Sequence, residues 1–157
     1  MNESYRLFIE SVDDKNKDFV DQLNAYIIEH GFKCDIKTAK NGYVVSYVSK
    51  KTKKTLANFV FRKSGIKIRI YANNVQKYEN FLNTIPENMK KDIKKSLDCK
   101  RLLDPTDCNP RCSMGYIYLM DGVEYKKCRY GAFMPTLTEE NNPFIIQFIK
   151  NEIACVG

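Results

Sequence analysis

The 157-residue sequence lacks the segments that direct a chain into or across a membrane. Its opening residues, MNESYRLFIESVDD, contain no basic stretch followed by an apolar one, so they are not typical of a secretory signal. No apolar run approaches the roughly 20 residues that a membrane-spanning helix needs. We therefore expect a cytoplasmic protein with no membrane partner, and reduced thiols rather than structural disulfides.

Residues for conventional catalysis are also scarce. The single histidine, His30, stands beside Gly31, where a helix is expected to end, and a histidine there suits the helix C-terminus better than acid–base chemistry. The sequence has no G-x-S-x-G, no phosphate-binding loop, no dinucleotide fingerprint and no H-E-x-x-H. A conventional hydrolase is therefore disfavoured, and a non-enzymatic binding or regulatory module is the first hypothesis.

Acidic residues are nearly missing from one stretch of an otherwise balanced chain. Residues 32–71 contain eleven basic residues and one acid, Asp35, whereas residues 1–31 contain three basic and seven acidic residues. The whole net charge of +7 therefore originates in the 32–71 stretch. Such a field attracts polyanions. An alternative is compositional, because 20 Lys, 14 Asn and 14 Ile are typical of an AT-rich genome.

The hydrophobic periodicity predicts an α+β fold, with an antiparallel sheet packed by helices. A first helix follows Asp13-Asp14, and a second is indicated by apolar residues from Val75 to Ile85. A third helix starts at Pro86, with Met89, Ile93 and Leu97 as its buried face. Between the first and second helices the apolar period is two, which predicts four strands over 33–37, 43–49, 55–62 and 66–71.

The C-terminal part is expected to contain a cysteine-rich loop, a β-hairpin and a helix. The hairpin joins 116–120 to 123–127 around Asp121-Gly122, and the last helix begins at Asn142-Pro143. We divide the chain into an α+β core over 1–98 and a C-terminal part over 99–157, packed together as one domain.

A basic sheet face is the first candidate site. If the hairpin at Ser64-Gly65 has a two-residue loop, Phe61 faces Ile68, and the core face alternates with a solvated face. The candidate polyanion-binding residues on the solvated face are Arg62, Lys67, Arg69 and Tyr71. Cations for phosphates and tyrosine for stacking suit a nucleic acid, and the cations alone suit an acidic protein surface. An ordinary solvated sheet face is the alternative, and the sequence indicates no oligomeric state.

Four cysteines form the second candidate site, with the spacing C-x8-C-x3-C-x15-C. The thiolates of Cys99, Cys108, Cys112 and Cys128 could bind one Zn²⁺ tetrahedrally, although this spacing is not that of a standard ribbon or finger. Thiols that only pack in the core are the alternative to a metal site.

A reactive or redox thiol is the third interpretation of the same cysteines. Cys128 lies among Lys126, Lys127 and Arg129, and Arg111 precedes Cys112. Cationic neighbours favour the thiolate, so Cys128 and Cys112 are the candidates for a thiol-dependent redox or reactive-cysteine enzyme. This enzyme is the alternative to the binding module.

Two segments carry a resemblance to a known family. The stretch CKRLLDPTDCNPRCSMGYIYLMDGVEYKKCRYGAFM and the preceding GYVVSYVSKKTKKTLANFVFRKSGIKIRIYA resemble a family of uncharacterised small bacterial proteins. The resemblance covers nearly the whole chain and implies no function. It implies a further cysteine shortly after KCRY, at the position where this sequence has Ala132.

Overall fold

A computed structural model describes residues 2–104, 106 and 114–156 of the chain, and its fold is α+β. The elements follow one another as α1 (Glu3–Ser11), α2 (Asp14–Glu29), β1 (Phe32–Ala39), β2 (Gly42–Ser49), β3 (Thr55–Arg62), β4 (Gly65–Ile70), a 3-10 helix (Val75–Thr84), α3 (Glu87–Lys95), α4 (Lys100–Leu103), β5 (Tyr116–Met120), β6 (Val123–Lys127) and α5 (Asn142–Val156). None of the helices in these described ranges is long and apolar enough to cross a membrane.

Strands β1 to β4 form an antiparallel meander in chain order. The predicted register of the β3–β4 hairpin is wrong by two residues, because the loop is Lys63-Ser64 and Phe61 pairs with Ile66 rather than Ile68. A shift of two residues leaves every side chain on its predicted face, since side chains alternate with a period of two. The predicted separation into a core face and a basic face therefore holds.

The core lies between one face of the sheet and a layer of helices. Phe8 of α1 packs its ring against Phe59, and the hydroxyl of Tyr47 in β2 donates a 2.7 Å hydrogen bond to Asn24 of α2. Helix α5 joins the same layer, where Asn142 donates to Asn16 of α2. Helix α1 is absent from the prediction, although Asn2 caps it in the ordinary way by accepting from the backbone of Ser4.

Two of the predicted helices differ from the prediction. The segment from Val75 to Thr84 is a 3-10 helix with a kink at Tyr78, which agrees with the three-residue spacing of Val75, Tyr78 and Phe81. Helix α3 buries Met89 and Ile93, but Leu97 is 77% exposed because the helix ends at Lys95 and the chain becomes extended at Ser96.

The C-terminal residues complete the sheet and its core. The β5–β6 hairpin has the predicted two-residue turn, in which Asp121 and Gly122 both adopt positive φ. Beyond it, residues 133–137 run antiparallel to β4: the backbone of Ile70 donates to Phe133, and that of Leu137 donates to Ile66. One hydrophobic cluster therefore contains residues from both 1–98 and 99–157.

Candidate polyanion-binding site

The face of the sheet opposite the helices, called the outer face below, carries the basic side chains. It consists of Lys33, Asp35, Lys37, Val44, Ser46, Val48, Asn58, Val60, Arg62, Lys67 and Arg69. Its β1 members are exposed and its β2 members are half-buried, so the face is open to solvent on that side. Short polar and β-branched side chains occupy its centre, where Asn58 donates a 2.7 Å hydrogen bond to Ser46. The cations therefore surround a centre in which Asn58 and Val60 are buried.

Of the four predicted polyanion-binding residues, Lys67 and Arg69 lie on the outer side of β4, Tyr71 follows the end of β4, and Arg62 lies at the end of the neighbouring strand β3. Arg62 pairs with Gly65 at one end, and Tyr71 follows β4 at the other, about 20 Å away at about 3.3 Å per residue. Lys67 and Arg69 are positioned by the C-terminal part, because the Lys67 ammonium donates to Thr136 and Arg69 Nε donates to the backbone oxygen of Tyr130. The structure thus brings Arg69 and Tyr71 together and leaves Arg62 apart.

A second group of cations occupies the turn between β2 and β3, called the lysine turn below: Lys50, Lys51, Lys53 and Lys54. The backbone of this turn is well held, because the Ser49 hydroxyl accepts from the amides of Lys51 and Thr52 at 3.2 and 3.1 Å. Lys53 adopts a positive φ of 64° and donates its backbone N–H to the Ser49 carbonyl. A fixed turn presents its lysines from a small volume at one end of the sheet.

Two cations outside residues 32–71, Lys90 and Lys127, are buried and have structural partners. Lys127 is buried, and its ammonium donates to the carbonyls of Lys94 and Ser96 at the C-terminal end of α3 and pairs with Asp98 at 3.0 Å. Lys90 is buried and pairs with Asp121 at 3.1 Å. By contrast, among the described residues Lys37 is the only one of the eleven cations in 32–71 that belongs to an ion pair, and this pair with Asp35 is exposed.

A groove lies beside the lysine turn, at the seam between the sheet and the C-terminal part. This seam groove has a volume of about 460 Å³. It is lined by Lys54, Thr55, Tyr71, Asn73, Arg129 and Tyr130. The rings of Tyr71 and Tyr130 meet edge to face, with centroids 6.1 Å apart and planes at 87°. The groove thus combines aromatic and cationic walls.

Arg129 fixes the wall of the seam groove. Its guanidinium lies 5.5 Å from the ring centroids of both Tyr71 and Tyr116, and it donates to the Met114 carbonyl and to Asn73 Oδ1. Sequence reasoning missed Arg129 and Tyr130 as site residues. The available signal was the KCRY segment, in which a cation and an aromatic residue stand together.

The seam groove continues into a second cavity of about 380 Å³, which shares Lys54, Thr55, Tyr71 and Asn73 with it. The one acid in its lining, Glu152, is buried, and both of its carboxylate oxygens accept hydrogen bonds. It accepts from the backbone and side chain of Asn74 and from the hydroxyl of Tyr78. Burial and the adjacent carboxylate raise the pKa of Tyr78, so this hydroxyl remains a donor. Glu152 therefore shapes the cavity without offering a free oxygen to a ligand.

His30 occupies the helix end, as predicted. Its ring lies on that of Tyr26 with centroids 4.1 Å apart, and Nδ1 donates to the Tyr26 carbonyl at 2.7 Å. This carbonyl is in the last turn of α2, where helix carbonyls lack intrahelical partners. The contact explains the histidine without catalysis.

The cysteine site is only partly within the described residues, because Cys108 and Cys112 lie outside them. Cys99 and Cys128 are free thiols on two segments that pair as a short ribbon, in which Asp98 lies opposite Lys127. The alternation of side chains puts both cysteines on the other side of this ribbon. Among the described residues, no three His, Cys, Asp or Glu side chains are grouped as a metal requires. The four-thiolate zinc site stays a prediction, which metal analysis of the purified protein would test.

Activation of the Cys128 thiol also stays a prediction. Lys127 and Arg129, its two immediate neighbours, direct their charged groups elsewhere: Lys127 to the end of α3 and Arg129 to Asn73 and two tyrosine rings. The described contacts therefore supply no observation that favours the reactive-thiol enzyme.

Comparison with known proteins adds no assignment: no family model, no curated protein and no solved structure matches the chain.

Proposed function

We propose that this protein is a binding module for single-stranded nucleic acid, which it holds along the outer face of the sheet and the lysine turn. The observation that supports this proposal is the difference in ion pairing between the cations of 32–71 and the buried lysines elsewhere. The buried ammonium groups of Lys90 and Lys127 pair with Asp121 and Asp98, whereas among the described residues only Lys37 of the eleven cations in 32–71 belongs to an ion pair. Eleven cations with one acid form a field that phosphates would neutralise.

The charge of helices α1 and α2 is opposite to that of the sheet. Residues 1–31, which form α1 and α2, carry seven acids against three bases. The acids lie in the layer opposite the outer face, so the molecule has a negative and a positive side. A polyanion that approaches by diffusion is therefore oriented toward the sheet.

The test measures binding of a fluorescent single-stranded oligonucleotide over a series of salt concentrations. Neutralising two lysines of the turn, Lys51→Gln with Lys54→Gln, should weaken binding and reduce the slope of log affinity against log salt by about 1.4, or about 0.7 for each phosphate that a lysine no longer neutralises. The matched control removes the same charge from the helices, Lys15→Gln with Lys91→Gln, and should leave the slope unchanged.

Two outcomes would overturn the proposal. One is the absence of oligonucleotide binding even at low salt; if polyglutamate then binds, the partner is an acidic protein surface instead. The other is an equal effect of the turn variant and the control variant, since this would show that only net charge matters.

A further inference from the structure

The seam groove has features that phosphate binding does not require. Phosphate oxygens are bound by cations and N–H groups, whereas Tyr71 and Tyr130 place two aromatic rings at the groove. Tyr130 is 52% exposed although its ring lies beside that of Tyr71. An exposed ring that is fixed in place is a surface on which another flat group can stack.

The position of Tyr130 is fixed from two sides. Arg69 of β4 donates a 2.8 Å hydrogen bond to its backbone oxygen, and its ring meets the ring of Tyr71 at 87°. A planar group that stacks on one of these rings presents its edge to the face of the other, which is a favourable arrangement for both contacts. The two tyrosines therefore form a corner for a single flat ligand.

Polar residues that line the groove can bind the edge of such a ligand. Asn73 uses its side-chain oxygen to accept from Arg129 at 3.0 Å, and no described residue accepts from its amide N–H groups. Thr55 also lines the groove, and its hydroxyl has no hydrogen-bond partner among the described residues. The volume of about 460 Å³ lies within the range of about 300–1,000 Å³ typical of small-molecule sites.

The cations around the groove indicate the chemical class of the flat ligand. Lys54 of the lysine turn lines one side of it, and Arg69 of the outer face adjoins Tyr130. A flat group that is linked to phosphates on both sides would have its ring in the corner and its phosphates on these cations. A base of a single-stranded nucleic acid has this chemistry.

We propose that the seam groove takes up an unpaired base, stacked on Tyr71 and Tyr130, so that the protein prefers single strands with bases to bare phosphate chains and to duplexes. This inference rests on the proposed function and names the chemical class of the ligand at its site. A duplex keeps its bases stacked on one another, so it cannot supply one to the corner without unpairing.

The experiment compares an oligonucleotide with an abasic strand of the same length and therefore the same phosphate charge. We expect the wild-type protein to bind the abasic strand about 5- to 150-fold more weakly, as expected for the loss of one stacked base. Tyr130→Ala should weaken binding of the normal strand to a similar extent and leave binding of the abasic strand unchanged. The backbone oxygen that Arg69 uses is retained in this variant.

A second variant and a spectroscopic signal guard against a mere loss of folding. Tyr71→Leu should act like Tyr130→Ala, whereas the matched control Tyr125→Leu, at a half-buried tyrosine of β6, should bind as the wild type does. The fluorescence of a strand that contains 2-aminopurine should be quenched by the wild type and not by Tyr130→Ala.

The failures of the two proposals are distinguishable. Equal affinity for normal and abasic strands, or for a single strand and a duplex, would overturn the base-stacking inference while salt-dependent binding to phosphates continued. The absence of binding to every strand would overturn the proposed function, and the inference with it.

Discussion

At the scale of single residues, Cys34 shows how burial changes a side chain's chemistry. It is half-buried on the core face of β1, opposite Tyr47 of β2. Burial is the main reason that the pKa of its thiol is raised to about 11, and Asp35 adds to the effect. Because only the thiolate is nucleophilic, a raised pKa means low reactivity at ordinary pH.

We expect iodoacetamide to modify Cys34 at pH 8 about 10- to 100-fold more slowly in the folded protein than in urea, because the folded thiol ionises less. Site-resolved mass spectrometry would measure this. The same shift predicts a dependence of stability on pH. As the pH rises from the ordinary pKa of a cysteine thiol to about 11, the Cys34 thiol loses its proton in the unfolded chain but keeps it in the folded protein, so the free energy of unfolding decreases. Equal rates of modification in both states would contradict the prediction.

The candidate site was predictable at this scale only where it depends on alternation along a strand. Parity along β4 correctly put Lys67 and Arg69 on the solvated face, and a register error of two residues did no harm. Parity gives no information on Tyr130, which reaches Tyr71 from 59 residues further along the chain. Such a contact depends on how the C-terminal part folds back, and no local pattern encodes it.

At the scale of elements, Gly115 directly precedes β5 and packs against Cys99 and Lys127. A Cβ atom at this position would lie 2.0 Å from the Lys127 carbonyl oxygen and 2.9 Å from Cys99 Cβ. The first of these is a backbone atom, so it cannot move without displacing β6. Gly131, in contrast, has no heavy atom within 4 Å of the corresponding position.

We therefore expect Gly115→Ala to reduce the free energy of unfolding by about 1–3 kcal/mol, the usual cost of overpacking. Gly131→Ala is the matched control and should change stability by no more than about 0.5 kcal/mol. Urea denaturation followed by circular dichroism would measure both. Equal stability of the two variants would show that Lys127 and Cys99 do not pack closely against Gly115.

Element types were predictable where a strong period or turn exists. The alternating strands and the Asp121-Gly122 hairpin are confirmed, because their signals are local. The errors fall where a helix is short or irregular. Helix α1 has nine residues with only Tyr5 and Phe8 buried, and Val75–Thr84 has too few residues to distinguish an α-helix from a 3-10 helix by hydrophobicity alone.

At the scale of the whole molecule, the shared core predicts cooperative unfolding. Phe148 of α5 contacts the rings of Phe81 and Phe133, while Leu23 of α2 is fully buried in the same cluster. Leu23→Ala and Phe148→Ala should each lower the urea midpoint of unfolding. For each variant, circular dichroism and tyrosine fluorescence should report the same midpoint. Each should cost about 2–5 kcal/mol. Two separate transitions would show instead that 1–98 and 99–157 unfold independently.

The sheet also has two different edges. Residues 133–137 pair with β4, but among the described residues no strand pairs with the far side of β1. If two copies joined antiparallel at β1 with Asp35 facing Asp35, each Lys33 would stand opposite a Lys37. Like charges would then oppose each other at three successive positions on the same face, which is unfavourable. The alternation of Lys, Asp and Lys in β1 thus disfavours this symmetric register at the open edge.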